Sequence, residues 1–205
     1  MENLGLFITF EGADGCGKTT QIELLNKYLQ EKGFKTLVTR EPGAKGLGEK
    51  LREILLNYDG EVSPTCESFL FLADRAQHVD CIIKPALKNG IIVLCDRHTD
   101  STVAYQGYGR QLDIEQIKKL NNIAVSGLKP DLTIVFDIDI ETSMQRVGST
   151  KDRMESAGIE FFKRVREGFL AIAKEEPNRV KVINSADTIE NIHKQVVKLV
   201  EEKNG

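Results

Sequence analysis

The sequence predicts an α/β fold, a five-stranded parallel sheet flanked by helices, and three observations predict it. Five short apolar runs alternate with stretches whose apolar residues recur at helical spacing. The runs are continuously apolar rather than alternating, the pattern of strands covered on both faces. Helix-start signals, a Ser or Asp followed by Pro or by Gln/Glu three residues on, fall between them.

The first strand, Leu6 to Phe10, leads through a glycine-rich segment into a helix marked by Ile22, Leu25 and Leu29. Thr36 to Thr39 is the second strand, followed by helical Leu51, Ile54 and Leu55. Ser63 before Pro64 caps the next helix, and Ile91 to Cys95 is the third strand. Asp113, with Gln116 three residues later, starts a helix carrying Ile117, Leu120 and Ala124, and Leu132 to Phe136 is the fourth strand. Gly148 to Gly158 is charge-dense and poorly periodic between two helical segments, and it reads as a short lid over about residues 146–158. Val180 to Ile183 closes the sheet, and Asp187 with Glu190 caps a last helix through Ile189, Ile192, Val196 and Leu199. Neither a linker nor a repeat divides the chain, so residues 1–205 are expected to form one domain.

Composition excludes several classes. A formal charge of −3 gives no overall basic surface for a nucleic-acid polymer. Apolar runs of about five residues fall far short of the ~20 that cross a bilayer. Met1-Glu2-Asn3 lacks the basic start of a signal peptide, so a cytoplasmic protein with reduced thiols is expected. Cys16, Cys66, Cys81 and Cys95, like His78, His98 and His193, lack ligand spacing, and none is assigned to a metal.

Chemistry is carried first by Gly12-Ala-Asp-Gly-Cys-Gly-Lys18-Thr19, a G-x-x-x-x-G-K-[ST] loop between a strand and a helix. Gly12, Gly15 and Gly17 allow backbone N–H groups to turn toward phosphate oxygens, and the helix N-terminus adds a positive field. Asp14, Cys16 and Thr20 complete the expected ATP-binding segment, with Cys16 a small spacer. Lys18 supplies a point charge to the β and γ phosphates, and Thr19 is expected to bind Mg²⁺. Asp96-Arg97 ends the third strand, where an acid can hold Mg²⁺ through water and a guanidinium can bridge phosphates. The Asn-Lys-x-Asp guanine reader of GTPases is missing, because Asn26-Lys27 runs on into the first helix. A phosphate monoester, with a second pKa near 6, is already largely ionised at neutral pH and needs no general base to accept a phosphoryl group. Glu11 is read as a strand-end hydrogen-bond partner, although it or Asp14 could serve as base in a nucleoside kinase.

Five segments in order, Phe10-Glu-Gly-Ala-Asp-Gly-Cys-Gly-Lys-Thr-Thr20, Thr39-Arg-Glu-Pro-Gly43, Phe71-Leu-Ala-Asp-Arg75, Asp96-Arg-His and Ala104-Tyr-Gln-Gly107, together resemble bacterial thymidylate kinases across nearly the whole chain. The resemblance implies the P-loop nucleoside monophosphate kinase architecture, transfer from ATP with Mg²⁺ to dTMP, and a homodimer. Apolar Phe69, Leu72 and Ala73 are candidates for its interface. Another nucleoside monophosphate or deoxynucleoside kinase is the alternative. By resemblance, Asp14 contacts the sugar 3′-hydroxyl, Phe71 stacks on thymine, and Arg75 hydrogen-bonds its edge. Arg97 and Arg52 hold the acceptor phosphate, Thr102 and Gln106 lie near the base, and Tyr105 fills the space of a ribose 2′-hydroxyl. Glu41 and Ser101 belong to the same acceptor site. The loop itself offers no arginine, so Arg153, beside Asp152, Glu155, Lys151 and Arg146, is expected to reach the transferring group from the lid, making Lys18, Arg97 and Arg153 the catalytic set. Two departures stand out: Gly43-Ala44-Lys45-Gly46 where Gly-Gly-Thr is common, and His98, to which no proton transfer is assigned.

Overall fold

The computed structural model describes residues 5–147 and 158–204. Its five strands are β1 (Phe7–Glu11), β2 (Thr36–Arg40), β3 (Ile92–Asp96), β4 (Leu132–Asp137) and β5 (Val180–Asn184), all parallel in the order β2-β3-β1-β4-β5. Each strand ends one residue beyond its expected apolar run. The parallel ladder continues through a polar residue: Phe10 is in register with Asp96, Glu11 with Val135, Arg40 with Asp96 and Asp137 with Asn184. A row of Glu, Arg, Asp and Asn therefore lines the carboxyl edge of the sheet, where an α/β fold places its ligands.

Helices α1 (Lys18–Glu31) and α9 (Ile189–Asn204) cover one face of the sheet, around Ile8, Phe10, Leu25, Leu132, Ile134 and Val196. On the other face, α8 (Ile159–Glu175) brings Val165 and Phe169 against Val135 and Val103. Each such side chain, fully buried, contributes roughly 1.5–3 kcal/mol of transfer free energy. The central strands β1, β3 and β4 are covered on both faces as expected. The edge strands are not: Val38 in β2 is 47% exposed and Val182 in β5 44%. An edge strand has a helix against only part of its width, so a continuous apolar run overstates its burial.

Helix α2 (Leu47–Asn57) packs against α3 (Pro64–His78), which is capped by Ser63, whose hydroxyl accepts from Cys66 N–H at 3.3 Å. Helix α3 runs through a π turn at Val79–Ile83 into α4 (Lys84–Lys88). The short α5 (Thr99–Thr102) passes into a second π segment at Val103–Gly109, then come α6 (Ile114–Ala124) and α7 (Ile140–Val147). Asp113 caps α6 by accepting from Gln116 N–H at 3.0 Å. At α9 the expectation is corrected by one residue. Thr188 accepts from Asn191 N–H at 3.2 Å, while Asp187 accepts the N–H of Thr188 itself, because Thr188 already meets the free amide of the first turn. Among the described residues no helix is long and apolar enough to cross a membrane.

Candidate active site

Between β1 and α1 the chain turns at Gly12, Gly15 and Gly17, all at positive φ. A Cβ on Gly12 would lie 2.5 Å from the carbonyl oxygen of Phe136, so the loop presses on the end of β4. Gly17 caps α1 without a side chain, which leaves the first-turn amides of that helix available to an anion. Lys18 is only 6% exposed, and its Nζ donates to the carbonyls of Ala13 (2.9 Å) and Gly12 (3.2 Å). Thr19 and Thr20 are exposed beside it.

A cavity of about 520 Å³ opens over this loop at the carboxyl edge of the sheet. Its near wall is Asp14, Gly15, Gly17, Lys18, Thr19 and Thr20, with Asp96 and Arg97 from the end of β3. Its far wall is Arg52 and Leu56 on α2, Phe71 and Arg75 on α3, and Ser101, Thr102, Tyr105 and Gln106 from α5 and the π segment behind it. Arg40 at the end of β2, Glu41 and Pro42 after it, and Arg146 on α7 complete it.

Arg97 adopts a left-handed backbone conformation (φ 69°), with its N–H still on Phe10 O at 3.0 Å. That turn points the guanidinium back across the loop. Nη2 donates to Asp14 Oδ1 at 2.7 Å, and Nη1 to Gly12 O at 2.9 Å and Ser101 Oγ at 3.3 Å, with the Tyr105 ring 5.0 Å away. Burial alone would raise the Asp14 carboxyl, but Arg97 and then Lys18 outweigh it and hold it down to about 2. At the end of β3, Asp96 Oδ1 is buried with no hydrogen-bond partner among the described residues.

Beneath Arg97, the fully buried Glu11 accepts from His98 N–H at 2.7 Å and from the Ser101 hydroxyl. Burial, then the nearby Asp100 carboxylate, pushes Glu11 from 4.5 up to about 8. Asp100 is gripped on both oxygens by Arg179, at 2.7 and 2.9 Å. Folded Glu11 thus keeps a proton that the unfolded chain releases near 4.5, so its contribution to stability is full below that pH and is lost as pH rises through about 8. Glu11→Gln is expected to flatten that fall: in melts from pH 5 to 9, wild type should lose Tm relative to the variant, and parallel curves would refute the assignment.

A second buried network stands behind the far wall. Glu41 accepts from Arg75 Nε at 2.8 Å and contacts Nδ1 of His78 at 2.8 Å and of His98 at 3.0 Å. Burial would raise Glu41, but His98 and Arg75 hold it well below the ordinary range. Arg75 Nη1 donates to Thr102 Oγ1 (2.6 Å) and Asn121 Oδ1 (2.7 Å), and Nη2 to His98 O (2.9 Å). Four of its five N–H groups are so committed, and the remaining Nη2 hydrogen belongs to a side chain on the cavity wall.

The thymidylate kinase family model matches residues 10–196. The chain belongs to the thymidylate kinase family. It is 48% identical over 202 residues to the thymidylate kinase of Pelotomaculum thermopropionicum, covering 97% of this chain and 94% of that one. It is 49% identical over 195 residues to that of a Sulfurihydrogenibium species, covering 95% and 96%. The crystal structure of the Ehrlichia chaffeensis thymidylate kinase superposes with a TM-score of 0.80 at 40% identity, covering 96% of this chain and 98% of that one. These matches make the enzyme a nucleoside monophosphate kinase of the P-loop fold.

Within this thymidylate kinase family member, most of the residues expected from sequence converge on one cavity. Gly12 and Cys16 do not face it: Gly12 lies under the loop, and Cys16 is buried against Ile8 and Phe10. Glu41 reaches the wall, but its carboxylate is taken up by Arg75, His78 and His98. Glu41 thereby anchors Arg75 from the cavity wall, since a buried carboxylate is stable only while paired. Ser101 likewise serves Glu11 and Arg97. Arg52 lies over Gly43, where a Cβ would come within 2.5 Å of its Cδ, and its Nη1 donates to Pro42 O at 2.8 Å. Lys45 is exposed and borders a separate hollow with Asp74 and Cys81. Arg153, Asp152 and Glu155 lie outside the described residues, as does most of the 146–158 segment, while Arg146 borders the cavity. Sequence reasoning missed the buried Glu67 and Asn121 and the partly buried Arg110 and Arg179. The positive φ of Arg97 carried no sequence signal.

Proposed function

We propose that this enzyme transfers the γ-phosphoryl group of ATP to dTMP, giving ADP and dTDP. One observation carries the reading: the cavity joins a phosphate loop with Lys18 and Arg97 at one end to an aromatic and guanidinium pair, Phe71 and Arg75, at the other. The loop amides and Lys18 bind the ATP phosphates. Arg97 and Arg52 hold the acceptor phosphate, whose oxygen attacks in line, already ionised, so that positioning and charge neutralisation suffice. Phe71 gives the base a flat apolar face, and Arg75 meets a carbonyl on its edge.

A Mg²⁺ ion carried in with ATP fits the residues present. The unpartnered, buried Asp96 Oδ1 and the exposed Thr19 hydroxyl, both on the cavity wall, would supply the hard oxygens that ion prefers. When bound it neutralises charge on the phosphates. Arg153 remains the arginine that reaches the transferring group from the lid, by resemblance. Arg153→Ala should lower turnover at least about tenfold with little change in ATP KM, and a smaller loss would remove the role.

Tyr105 is buried among Phe161, Phe162 and Phe169 and borders the cavity, which supports its part as a filter against a ribose 2′-hydroxyl. Tyr105→Ala is therefore expected to raise UMP turnover relative to dUMP by roughly tenfold. Because a packing defect would slow both alike, an unchanged ratio would refute the filter.

Homodimerisation and a cytoplasmic setting complete the reading. Phe69 is 53% exposed and Ala73 is exposed on α3, with Ile123 on α6 73% exposed, and these support an apolar interface; Leu72 is buried in the chain's own packing. The deciding assay couples ADP release to a panel of nucleoside monophosphates and nucleosides. dTMP should lead the panel, and a higher kcat/KM with any other acceptor would overturn the assignment.

A further inference from the structure

We propose that Glu67, a residue behind the cavity wall, decides which nucleobase edge the site accepts by fixing the amide of Gln106. The inference rests on dTMP as the acceptor and names the residue that sets the choice of base.

Glu67 sits in the first turn of α3 and is fully buried. Its Oε1 accepts from Gln106 Nε2 at 3.1 Å and from Arg110 Nε at 3.1 Å, and its Oε2 accepts from Arg110 Nη2 at 3.0 Å. Arg110 is itself seated over the Phe161 ring, 4.8 Å from its centroid. The carboxylate is thus held from one side by a fork of fixed geometry. Gln106 is buried, borders the cavity, and sits on the π segment next to Tyr105.

An ionised carboxylate accepts hydrogen bonds and donates none. An amide oxygen turned toward Glu67 would meet another acceptor, so Gln106 must give Glu67 its –NH₂ and turn Oε1 away. The described hydrogen bond of that amide is made by its nitrogen, and Gln106 borders the cavity. Without Glu67 the amide could rotate by half a turn and offer a donor in the same place, since the two amide faces are nearly isosteric. Arg75 contributes the complementary half: its uncommitted Nη2 hydrogen is a donor that no rotation turns into an acceptor.

The wall therefore presents one acceptor and one donor to the base. An imide edge, a ring N–H beside a carbonyl as in thymine and uracil, matches both. Cytosine offers a ring nitrogen acceptor to Oε1 and an exocyclic amine to the guanidinium, so both contacts are like against like. Arg75 cannot adapt and Gln106 could. Glu67 prevents that adaptation, and we assign it as a positioning residue for specificity.

The test is kcat/KM for dTMP and for dCMP, with enzyme in excess so that slow dCMP turnover is measured, in wild type, Glu67→Gln, Gln106→Ala and the double variant. Glu67→Gln should cut the dTMP/dCMP ratio about tenfold or more, mainly through KM, because a neutral amide at 67 tolerates either orientation of Gln106. In the Gln106→Ala background the same substitution should leave the ratio unchanged, since nothing remains to orient. A ratio that survives Glu67→Gln while both substrates slow equally would show a purely structural role and overturn the proposal. So would a fall in ratio that persists without Gln106. If Glu67→Gln does not fold, Glu67→Asp, which withdraws the carboxylate by one methylene, is read by the same ratio and the same two outcomes. Failure of the parent reading registers separately, as a wild type that does not prefer dTMP to dCMP.

Discussion

Arg97→Ala is expected to lower kcat/KM for dTMP by roughly 10³, the largest loss of any single substitution at the near wall. Its guanidinium joins Asp14, Gly12 O and Ser101 Oγ, and it borders the cavity with Lys18 at the phosphate-loop end. Removing it takes away a clamp on transition-state charge and leaves Asp14 facing the incoming phosphates without its neutralising partner. Asp14, held down to about 2 from 3.8, would titrate closer to its ordinary value. The stability it draws from the pairing, present above 3.8 and lost as pH falls toward 2, would be missing from the variant throughout. Because Arg97→Ala removes charge and fork together, Arg97→Lys is the companion variant. It keeps the charge but not the fork, and should recover only part of the loss. Steady-state kinetics with dTMP varied at saturating ATP measures both, and a loss below about tenfold for Arg97→Ala would remove Arg97 from the phosphate site.

Lys18→Ala should reduce kcat by about 10²–10³ while the protein still folds. In the structure the amine holds two loop carbonyls, Ala13 O and Gly12 O, both on the loop itself, so its removal costs little to the core beneath. Its charge is needed where negative charge gathers as the γ-phosphoryl group leaves, and an interaction stronger in the transition state than in the bound substrate appears in kcat more than in KM. Melting curves for wild type and variant should nearly coincide, and single-turnover rates should separate them. Equal kcat with a raised ATP KM would make Lys18 a binding residue only.

The difference between the edge and the centre of the site explains what could be read in advance. Lys18, Thr19, Asp96 and Arg97 lie at the ends of apolar runs or inside a spaced glycine motif, where local sequence alone marks them. Tyr105 and Gln106 stand on a π segment at Val103–Gly109, which no periodicity announced, because a single wide turn leaves no repeating apolar spacing. Glu67 and Arg110 are 43 residues apart, and Arg75 and Asn121 are 46 apart. Nothing in the neighbourhood of either member names its partner.

By itself the sequence determined the α/β class, the five strands to within a residue, the phosphate loop and the family, since all of these are local patterns repeated along the chain. Only the tertiary structure decided which charged residues face the ligand and which hold those that do. Glu41, expected in the acceptor site, is also the anchor of Arg75, and Glu67, which read as nothing, came to rest on Gln106. The physical reason is desolvation. A buried carboxylate must find a cation or several donors, and only the packing of strands and helices far apart in sequence determines which of them are within reach.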